Sequence, residues 1–223
     1  MAKPIEEVSS AQVTVRFDAV KCIHSRGCVL ARPDVFVPNV EGEWIHPEAA
    51  TAEEVAELAH NCTSGAISYV RLDGGPQEAA PVVNLVRVRE NGPLAFQAEL
   101  AELSELAVPA DAAPTFRATL CRCGQSKRKP YCDMSHGPAG FTATGEAPTR
   151  ASEPLVKRNG RLAVTPSENG PLLVNGNLEV VSGTGRTIFR CTKTALCRCG
   201  GSSNKPFCDG THKTNGFRAD GAK

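Results

Sequence analysis

Two short stretches near the N-terminus alternate apolar and polar residues, which is the pattern of half-buried β-strands. They are VTVRF at 13–17 and AISYV at 66–70. Between them, Thr51 and Glu54 have the spacing of a capping box, which predicts the start of a helix. The face of this helix that we expect to be buried carries Val55, Leu58 and Ala59. The pattern therefore predicts a small domain of strands and a helix.

The second half of the chain instead predicts short strands joined by tight turns. The motif Glu-Asn-Gly-Pro-Leu occurs at 90–94 and again at 168–172, and Asn-Gly-Pro favours a chain reversal. Residues 95–106 have a helical composition, whereas their counterparts at 173–185 have the Val, Asn and Gly of strands and turns. Because repeated units share an architecture, we predict strands for both segments.

The same spacing of metal-binding residues also occurs twice, 76 residues apart. Three cysteines and one histidine can close a four-ligand shell around zinc or belong to an iron–sulfur centre, and spacing alone leaves both open. The candidate ligands are Cys121, Cys123, Cys132 and His136 in the first copy, and Cys197, Cys199, Cys208 and His212 in the second. The sequence thus predicts a metalloprotein with at least two sites.

The sequence of each copy predicts that its four ligands act as two pairs. A polar loop and a proline follow the Cys-x-Cys pair, and we expect Cys132-Asp133 and Cys208-Asp209 to open a short helix with the Asp as N-cap. The histidine then lies one turn further along the same helix face. A Cys–His pair could hold one atom of a binuclear cluster while the Cys-x-Cys pair holds the other.

Composition indicates an intracellular chain that neither enters membranes nor binds nucleic acid. The net charge is +1, the first residues MAKPIEEVSS lack an apolar signal region, and no apolar run is long enough to span a bilayer. Ten cysteines in such a chain are expected to be metal ligands rather than disulfides. We therefore expect a cytoplasmic protein.

The charge is divided unevenly along the chain. Residues 1–75 contain six Lys or Arg and eleven Asp or Glu, a net of −5, whereas the remainder has nineteen basic and thirteen acidic residues, a net of +6. Both could be ordinary solvated surfaces. Alternatively, complementary charge could favour docking between the two parts of the chain.

Turn-rich segments suggest three domains. DGGPQEAAP at 73–81 and APTRASEP at 147–154 have the composition of linkers. The predicted domains are residues 1–75, 81–147 and 154–223, and the last two contain the repeated motifs. We call residues 81–147 the first repeat and 154–223 the second repeat.

The two repeats resemble the CDGSH iron–sulfur family, which includes mitoNEET. The resemblance rests on the ligand spacing together with Ser126 or Ser202, Pro130 or Pro206, and Asp133 or Asp209. It implies a [2Fe–2S] cluster in each repeat and two β-rich units that form a pseudo-two-fold pair within one monomer. Met134 departs from the family's glycine, and since we expect it to need an ordinary φ, the turn there should differ slightly. Thr211 replaces a serine.

Residues 10–72 resemble a divergent single-cluster ferredoxin, so the overall fold class is α+β. Cys22, Cys28 and Cys62 match three of its ligands, and Ser25 stands where a fourth cysteine would be. Three thiolates favour a [3Fe–4S] cluster. Alternatively, a [4Fe–4S] cluster could take His24, Ser25 or solvent as its fourth ligand. Cys191 is predicted to be a buried or half-buried residue without a ligand role.

These assignments predict electron transfer by a three-cluster protein that is not an enzyme, since no nucleophile–base set or phosphate loop occurs in the sequence. The expected partner is a redox protein. A second reading is a cluster carrier or a redox or pH sensor that donates a labile cluster to an apo iron–sulfur acceptor. A third is a zinc-bearing interaction module.

Overall fold

The structure is a computed structural model that describes residues 5–101 and 115–221. The chain divides into two compact units, Met1–Ala79 and Ala80–Lys223. The division falls inside the segment 73–81. Strands predominate over helices among the described residues, so the fold is β-rich and of the α+β class, as predicted.

The first unit contains a three-stranded antiparallel sheet in the order β1-β2-β3. Both predicted strands and the predicted helix are confirmed, while β1 was not predicted. A single turn of 3₁₀-helix, Pro47–Ala49, precedes the longer helix. The elements are β1 (Ile5–Ser9), β2 (Val13–Asp18), α1 (Gly27–Ala31), α2 (Ala52–His60) and β3 (Ile67–Arg71).

The helix α2 begins with the capping box that the sequence predicts. The Thr51 hydroxyl accepts from the Glu54 amide, and the Glu54 carboxylate accepts from the Thr51 amide at 2.9 Å. The predicted apolar face is buried against the sheet, which contributes Val13 and Val15 to the core. This packing fixes the end of α2, where Cys62 follows, relative to the end of β2, where Cys22 follows.

In the described residues of the second unit, six strands form one sheet. They are β4 (Leu85–Val88), β5 (Leu94–Ala101), β6 (Thr115–Leu120), β7 (Arg161–Pro166), β8 (Leu172–Val181) and β9 (Thr187–Leu196). The prediction of strand after both Asn-Gly-Pro motifs is confirmed by β5 and β8, although residues 102–106 lie outside the described residues. Nowhere in 5–101 or 115–221 is there a helix long and apolar enough to cross a membrane.

Strands of the two repeats pair with one another. Within each repeat the strands are antiparallel, β4–β5–β6 in the first and β7–β8–β9 in the second. Between repeats the pairing is parallel: β4 lies beside β8, and β5 lies beside β7. The core of the second unit is therefore made by both repeats, with Phe96, Leu120, Leu172 and Leu196 among its fully buried members.

The Asn-Gly-Pro turns are confirmed in both repeats. Asn91 and Asn169 each adopt a φ of 47°, the left-handed conformation that asparagine tolerates better than most residues. The side-chain oxygen of Asn91 accepts from the amide of Ala143, and that of Asn169 accepts from the amide of Ala219. Each turn is thereby joined to the segment that follows the histidine of its own repeat.

The segment 147–154 packs on the second repeat. Ala147 is buried, and the amide of Arg150 donates to the carbonyl of Ile188 at 2.8 Å. The Arg150 guanidinium also lies 3.7 Å from the ring centre of Phe207, within the range of a cation–π contact.

Asn84 provides a test of the strand arrangement, because its side chain is fully buried and forms hydrogen bonds with three segments that are separate in sequence. It donates to the carbonyls of Gly160 and Asn177 and accepts from the amide of Glu99. We expect Asn84→Ala to lower the free energy of unfolding by about 3 kcal/mol, since a fully buried side chain loses three hydrogen bonds of about 1 kcal/mol each. Chemical denaturation measures it. In the control Asn177→Ala, which removes one exposed bond to Asn159, the cost should stay below about 1 kcal/mol.

Candidate metal centres

In both repeats the Cys-x-Cys pair comes directly after the last strand. β6 ends at Leu120 and β9 at Leu196, and both leucines are fully buried, so the following cysteines start from a fixed position. The Cys121 amide donates to the Pro130 carbonyl at 2.8 Å, and the Cys132 amide donates to the Thr119 carbonyl at 2.9 Å. These bonds hold the Cys-x-Cys segment and the Cys–His segment of the first repeat side by side.

The second repeat is built in the same way. The Cys197 amide donates to the Pro206 carbonyl at 2.8 Å, and the Cys208 amide donates to the Ala195 carbonyl at 2.9 Å. The intervening loop is closed by Ser202, whose hydroxyl donates to the Phe207 carbonyl at 2.7 Å. Ser126 makes the corresponding bond in the first repeat, at 2.6 Å to the Tyr131 carbonyl.

The candidate ligands are brought together in pairs. The two sulfurs of the Cys-x-Cys pair are 3.6 Å apart in the first repeat and 3.8 Å apart in the second. The distance from the later cysteine sulfur to the histidine Nδ1 is 3.5 Å for Cys132–His136 and 3.4 Å for Cys208–His212. All eight predicted residues therefore lie in one of four such pairs.

These distances match those between two ligands of one tetrahedral metal atom. With bonds of about 2.3 Å to sulfur and about 2.0 Å to nitrogen, two sulfurs lie roughly 3.8 Å apart and a sulfur and a nitrogen roughly 3.5 Å apart. Among the described residues, no group of three or more His, Cys, Asp or Glu side chains is placed to hold one metal ion. Each pair thus has the separation of two ligands that share one metal atom.

The predicted short helix at the histidines is wrong in the first repeat and reduced to one turn in the second. Ser135 and His136 lie in a turn. In the second repeat a 3₁₀-helix spans only Thr211–Lys213. An α-helix cannot run from the cysteine to the histidine because Met134 and Gly210, which lie between them, adopt left-handed φ values of 67° and 90°.

The aspartates also act differently from the predicted N-cap, since the residue that caps the 3₁₀-helix is Gly210. Asp133 accepts from the amides of Ser135 and Lys127, at 3.0 and 2.8 Å. Asp209 accepts in the same way from Thr211 and Ser203. Each aspartate thus joins the Cys–His turn to the polar loop. Burial raises the pKa of Asp133, but hydrogen bonds from the Ser135 side chain and from the amides of Lys127 and Ser135 outweigh it and lower the pKa to about 2, so the group is ionised at neutral pH.

The expectation of an ordinary φ at Met134 is wrong. Met134 adopts a φ of 67°, in the same left-handed region as Gly210, which has a φ of 90°. The backbone of the turn therefore has the same conformation in both repeats. This conformation strains the backbone at Met134, whereas it would not strain a glycine. Its side chain is 41% exposed and lies two residues from both Cys132 and His136.

Backbone amides point at several of the sulfurs. Gln125 and Met134 donate to Cys123 and Cys132 at 3.4 Å, and Gly201 and Gly210 donate to Cys199 and Cys208 at the same distance. Hydrogen bonds of this kind stabilise thiolates and raise the potential of a cluster.

Burial raises the pKa of Cys132 and of Cys197 to about 11, so these two thiols are protonated before a metal binds. Because a metal ligand must be a thiolate, binding has to release these protons.

A buried arginine lies between the two cysteines of each pair, and sequence reasoning missed it. Arg122 and Arg198 are each 1% exposed. Arg122 donates to the carbonyls of Gly92, Thr144, Arg89 and Ala143. The available signal was Cys-Arg-Cys in both copies, together with the phenylalanine that ends both motifs, Phe141 or Phe217. These rings lie 5.5 and 5.4 Å from the two guanidinium groups.

The two Cys-x-Cys segments also contact one another. Cys123 and Cys199 form an antiparallel backbone bridge between the repeats. The approach is so close that a Cβ added to Gly124 would lie 2.6 Å from the Cys199 carbonyl oxygen, and one added to Gly200 would lie 2.3 Å from that of Cys123. Both glycines have a positive φ. Only glycine fits at these two positions.

The three cysteines of the first unit line one cavity of about 580 Å³. Cys22 follows β2, Cys28 lies in α1, and Cys62 follows α2, so three elements bring them to the same space. Burial raises the pKa of Cys28, the Val29 amide opposes this, and negative charge on Cys62 and Cys22 raises the pKa further. The cavity is of a size that holds a small cofactor.

The loop between Cys22 and Cys28 curls around this cavity. His24 and Arg26 have φ values of 51° and 64°, both in the left-handed region. His24 and Ser25 also line the cavity, and the His24 Nδ1 lies 3.9 Å from the Cys22 sulfur. The predicted ligands and both possible additional ligands therefore lie in one place.

The remaining cysteine and histidines have other surroundings. Cys191 is half-buried on β9, as predicted, and burial raises its pKa to about 11. The His60 ring nitrogen lies 3.1 Å from the Tyr69 hydroxyl, and His46 lies beside Glu48.

Family comparisons agree with this division of sites. Residues 87–137 and 169–213 match the model of the iron-binding zinc finger of CDGSH type. Residues 8–72 match the model of the divergent 4Fe–4S mono-cluster. The chain is therefore an iron–sulfur protein. In particular, it joins two CDGSH-type iron-binding regions to one divergent 4Fe–4S mono-cluster domain, which confirms both resemblances. Comparisons with curated proteins and with solved structures gave no match.

Gly200→Ala tests the contact between the two Cys-x-Cys segments. The added Cβ would collide with the Cys123 carbonyl, so we expect a loss of about 3 kcal/mol in unfolding free energy and faster loss of bound metal. The control is Gly210→Ala, where φ is also positive but no atom lies within 4 Å of the added Cβ. It should cost only about 1 kcal/mol. Equal costs in denaturant unfolding would contradict the contact.

Proposed function

We propose that this protein is an electron-transfer protein with a [2Fe–2S] cluster at each CDGSH-type site and a third cluster in its first unit. The observation that carries the proposal is the pairing of ligands, repeated twice with the same distances. Bound clusters would supply one-electron chemistry, with a potential set by ligand charge, hydrogen bonds and burial. The protein's own part is to hold the ligands, donate amide bonds to the sulfurs and limit the access of water.

The paired ligands favour a binuclear cluster over a zinc ion. A structural zinc site collects four ligands around one atom. Here each repeat has two pairs, a Cys–Cys pair and a Cys–His pair, each with the separation expected across one metal atom. Within the Cys–His pair, Cys132 is buried and His136 is half-buried. The titratable imidazole ring is therefore the ligand more accessible to water. Proton access to the ligand makes pH-dependent potentials a further expectation.

We propose that the two repeats form an internal pseudo-two-fold pair, so that one monomer contains both sites. The support is reciprocal pairing: the first strand of each repeat lies beside the second strand of the other, β4 with β8 and β7 with β5. The Cys123–Cys199 bridge lies between the equivalent loops. The domain limits 81–147 and 154–223 would then delimit sequence repeats rather than separate folding units.

For the first unit we propose a [3Fe–4S] cluster on Cys22, Cys28 and Cys62, with a [4Fe–4S] cluster as the alternative. Three thiols from three elements line one cavity, and a three-iron cluster takes one thiolate for each iron. Ser25, at the place of a fourth cysteine, is a weaker ligand than thiolate.

The proposed partners are redox proteins, and the reaction needs no substrate site of its own. The net charges of −5 for residues 1–75 and +6 for the rest offer two surfaces of opposite sign for guiding encounters. Lys127 and Arg128 are exposed beside the first CDGSH-type site and suit an acidic partner. Such attraction weakens as salt rises.

Donation of a cluster to an apo-acceptor is the second candidate function. The half-buried His136 and His212 favour it, because protonation of an accessible ligand would loosen one edge of the site. Mixing loaded protein with an apo iron–sulfur acceptor separates the two functions. Transfer of the cluster supports the donor role, whereas electron exchange without loss of iron supports the carrier role.

The first prediction from this proposal concerns metal content. Protein purified without oxygen should contain iron and acid-labile sulfide in the amounts of two [2Fe–2S] clusters plus the cluster of the first unit. His136→Cys should lower the potential of one cluster, because a thiolate adds negative charge. Redox titration followed by visible absorption measures it. Stoichiometric zinc without sulfide would falsify the assignment.

The second concerns the first unit. The oxidised protein should give a near-isotropic EPR signal that disappears on reduction, as a [3Fe–4S] cluster does. Ser25→Cys should convert this centre to the four-iron form, because a fourth thiolate becomes available. Ser9→Cys on β1, outside the cavity, is the control and should leave the signal unchanged. A rhombic signal that appears only on reduction of the unmodified protein would point to [4Fe–4S] instead.

A further inference from the structure

Arg122 carries a positive charge. The groups around it accept its hydrogen bonds but do not neutralise this charge. Its Nε and both Nη atoms donate to four backbone carbonyls at 2.6 to 3.2 Å. In the part of the chain that the structure describes, no carboxylate lies within ion-pair distance of it. Carbonyl dipoles satisfy hydrogen bonds, yet the full charge of the guanidinium stays in the interior.

An uncompensated buried charge is costly, so a nearby negative charge is needed to stabilise it. Burial lowers the pKa of Arg122, but only to about 10, so the group remains a cation at neutral pH. Deprotonation to a neutral guanidine therefore does not remove the cost of burying this charge.

The nearby groups that can supply negative charge are metal-bound thiolates. Cys121 and Cys123 flank Arg122 in sequence, and the bridge between Cys123 and Cys199 brings the second repeat to the same place. The charges of Cys197 and Cys123 both act on Arg122. When three thiolates hold an oxidised [2Fe–2S] core their charge exceeds that of the core, and reduction adds one more negative charge.

A second cation from the other repeat adds to the positive charge in this region. The Phe141 ring lies 5.5 Å from the Arg122 guanidinium and 6.0 Å from the Lys205 ammonium. The equivalent ring of the second repeat, Phe217, lies between Arg198 and Lys129. Each aromatic ring thus has a cation from its own repeat and one from the other repeat.

We propose that Arg122 is a positioning residue that compensates the charge of the clusters in both repeats, and so raises their reduction potentials and slows their loss. Arg198 holds the equivalent place, with carbonyl partners at Gly170, Asp220, Ser167 and Ala219. This inference rests on the proposed function, because it needs anionic clusters at these sites.

The test compares Arg122→Met with Arg122→Lys in the loaded full-length protein. Met removes the charge and Lys keeps it, while both lose the four-carbonyl arrangement. The midpoint potentials of the CDGSH-type clusters should fall in the Met variant and stay near those of the unmodified protein in the Lys variant. Cluster loss under air, followed by visible absorption, should be several-fold faster for Met than for Lys. Equal potentials in both variants would show a purely structural role.

The unfolding of the cluster-free protein gives a separate readout. Without thiolate charge the buried cation keeps only the attraction of Glu90, so Arg122→Met should destabilise the cluster-free form less than the loaded form. The same loss in both forms would overturn the proposal.

A carboxylate substitution keeps the proposal testable if the Met variant does not fold. The negative charge of Glu90 acts on Arg122, and its Oε2 accepts from the Gly145 amide. Glu90→Gln keeps an acceptor and removes the charge, so the potentials should rise at low salt. Glu99→Gln, five residues beyond Leu94 on β5, is the control with the same change in net charge. If the two variants have the same potentials, the charge around Arg122 does not set the potentials of the clusters, which would overturn the proposal.

Failure of this inference and failure of the proposed function are distinguishable. Unmodified protein that contains no acid-labile sulfide refutes the clusters themselves. Unmodified protein that has both clusters, with potentials insensitive to Arg122 and Glu90, refutes only the role of the arginine.

Discussion

The arrangement of the second unit depends on the backbone contact between Cys123 and Cys199. It forms because Gly124 and Gly200 have no side chains and adopt a positive φ, which lets each loop approach the other's carbonyl. The cysteines next to these glycines are also the proposed ligands. The contact that joins the repeats is therefore the same contact that positions one sulfur of each Cys-x-Cys pair, and neither could change without the other.

Around this contact each buried arginine connects three segments that are distant in sequence. Arg122 bonds the Asn-Gly-Pro turn through Gly92 and the segment after the histidine through Ala143. The asparagine of that turn bonds Ala143 as well. Hydrogen bonds thus connect the turn, the ligand loop and the segment after the histidine into one set. The Arg122 guanidinium lies at its centre, and we expect the clusters to compensate its positive charge.

Local patterns predicted much of the fold, whereas contacts between distant segments were beyond them. The capping box at Thr51 and the turn at Asn91 follow from short-range chemistry and were correct. Spacing identified the candidate ligands, and the structure places them in pairs. The helix expected at Cys132 was wrong because the fold imposes a left-handed φ on Met134, a conformation that its residue type disfavours, and Met134 was misjudged for the same reason. Arg122 was missed because its carbonyl partners lie 21 to 33 residues away in the sequence, and only the folded chain brings them to it.

The parallel pairing of β4 with β8 and of β5 with β7 affects how the chain could be divided. A fragment that ended after the first repeat would keep the pairing of β4, β5 and β6 but lose the strands β8 and β7 that lie beside β4 and β5, and it would expose its part of the shared core. A break within 147–160 would remove covalent continuity while leaving both halves of the sheet with their partners. The two repeats are thus held together by paired strands and a shared core as well as by the peptide chain.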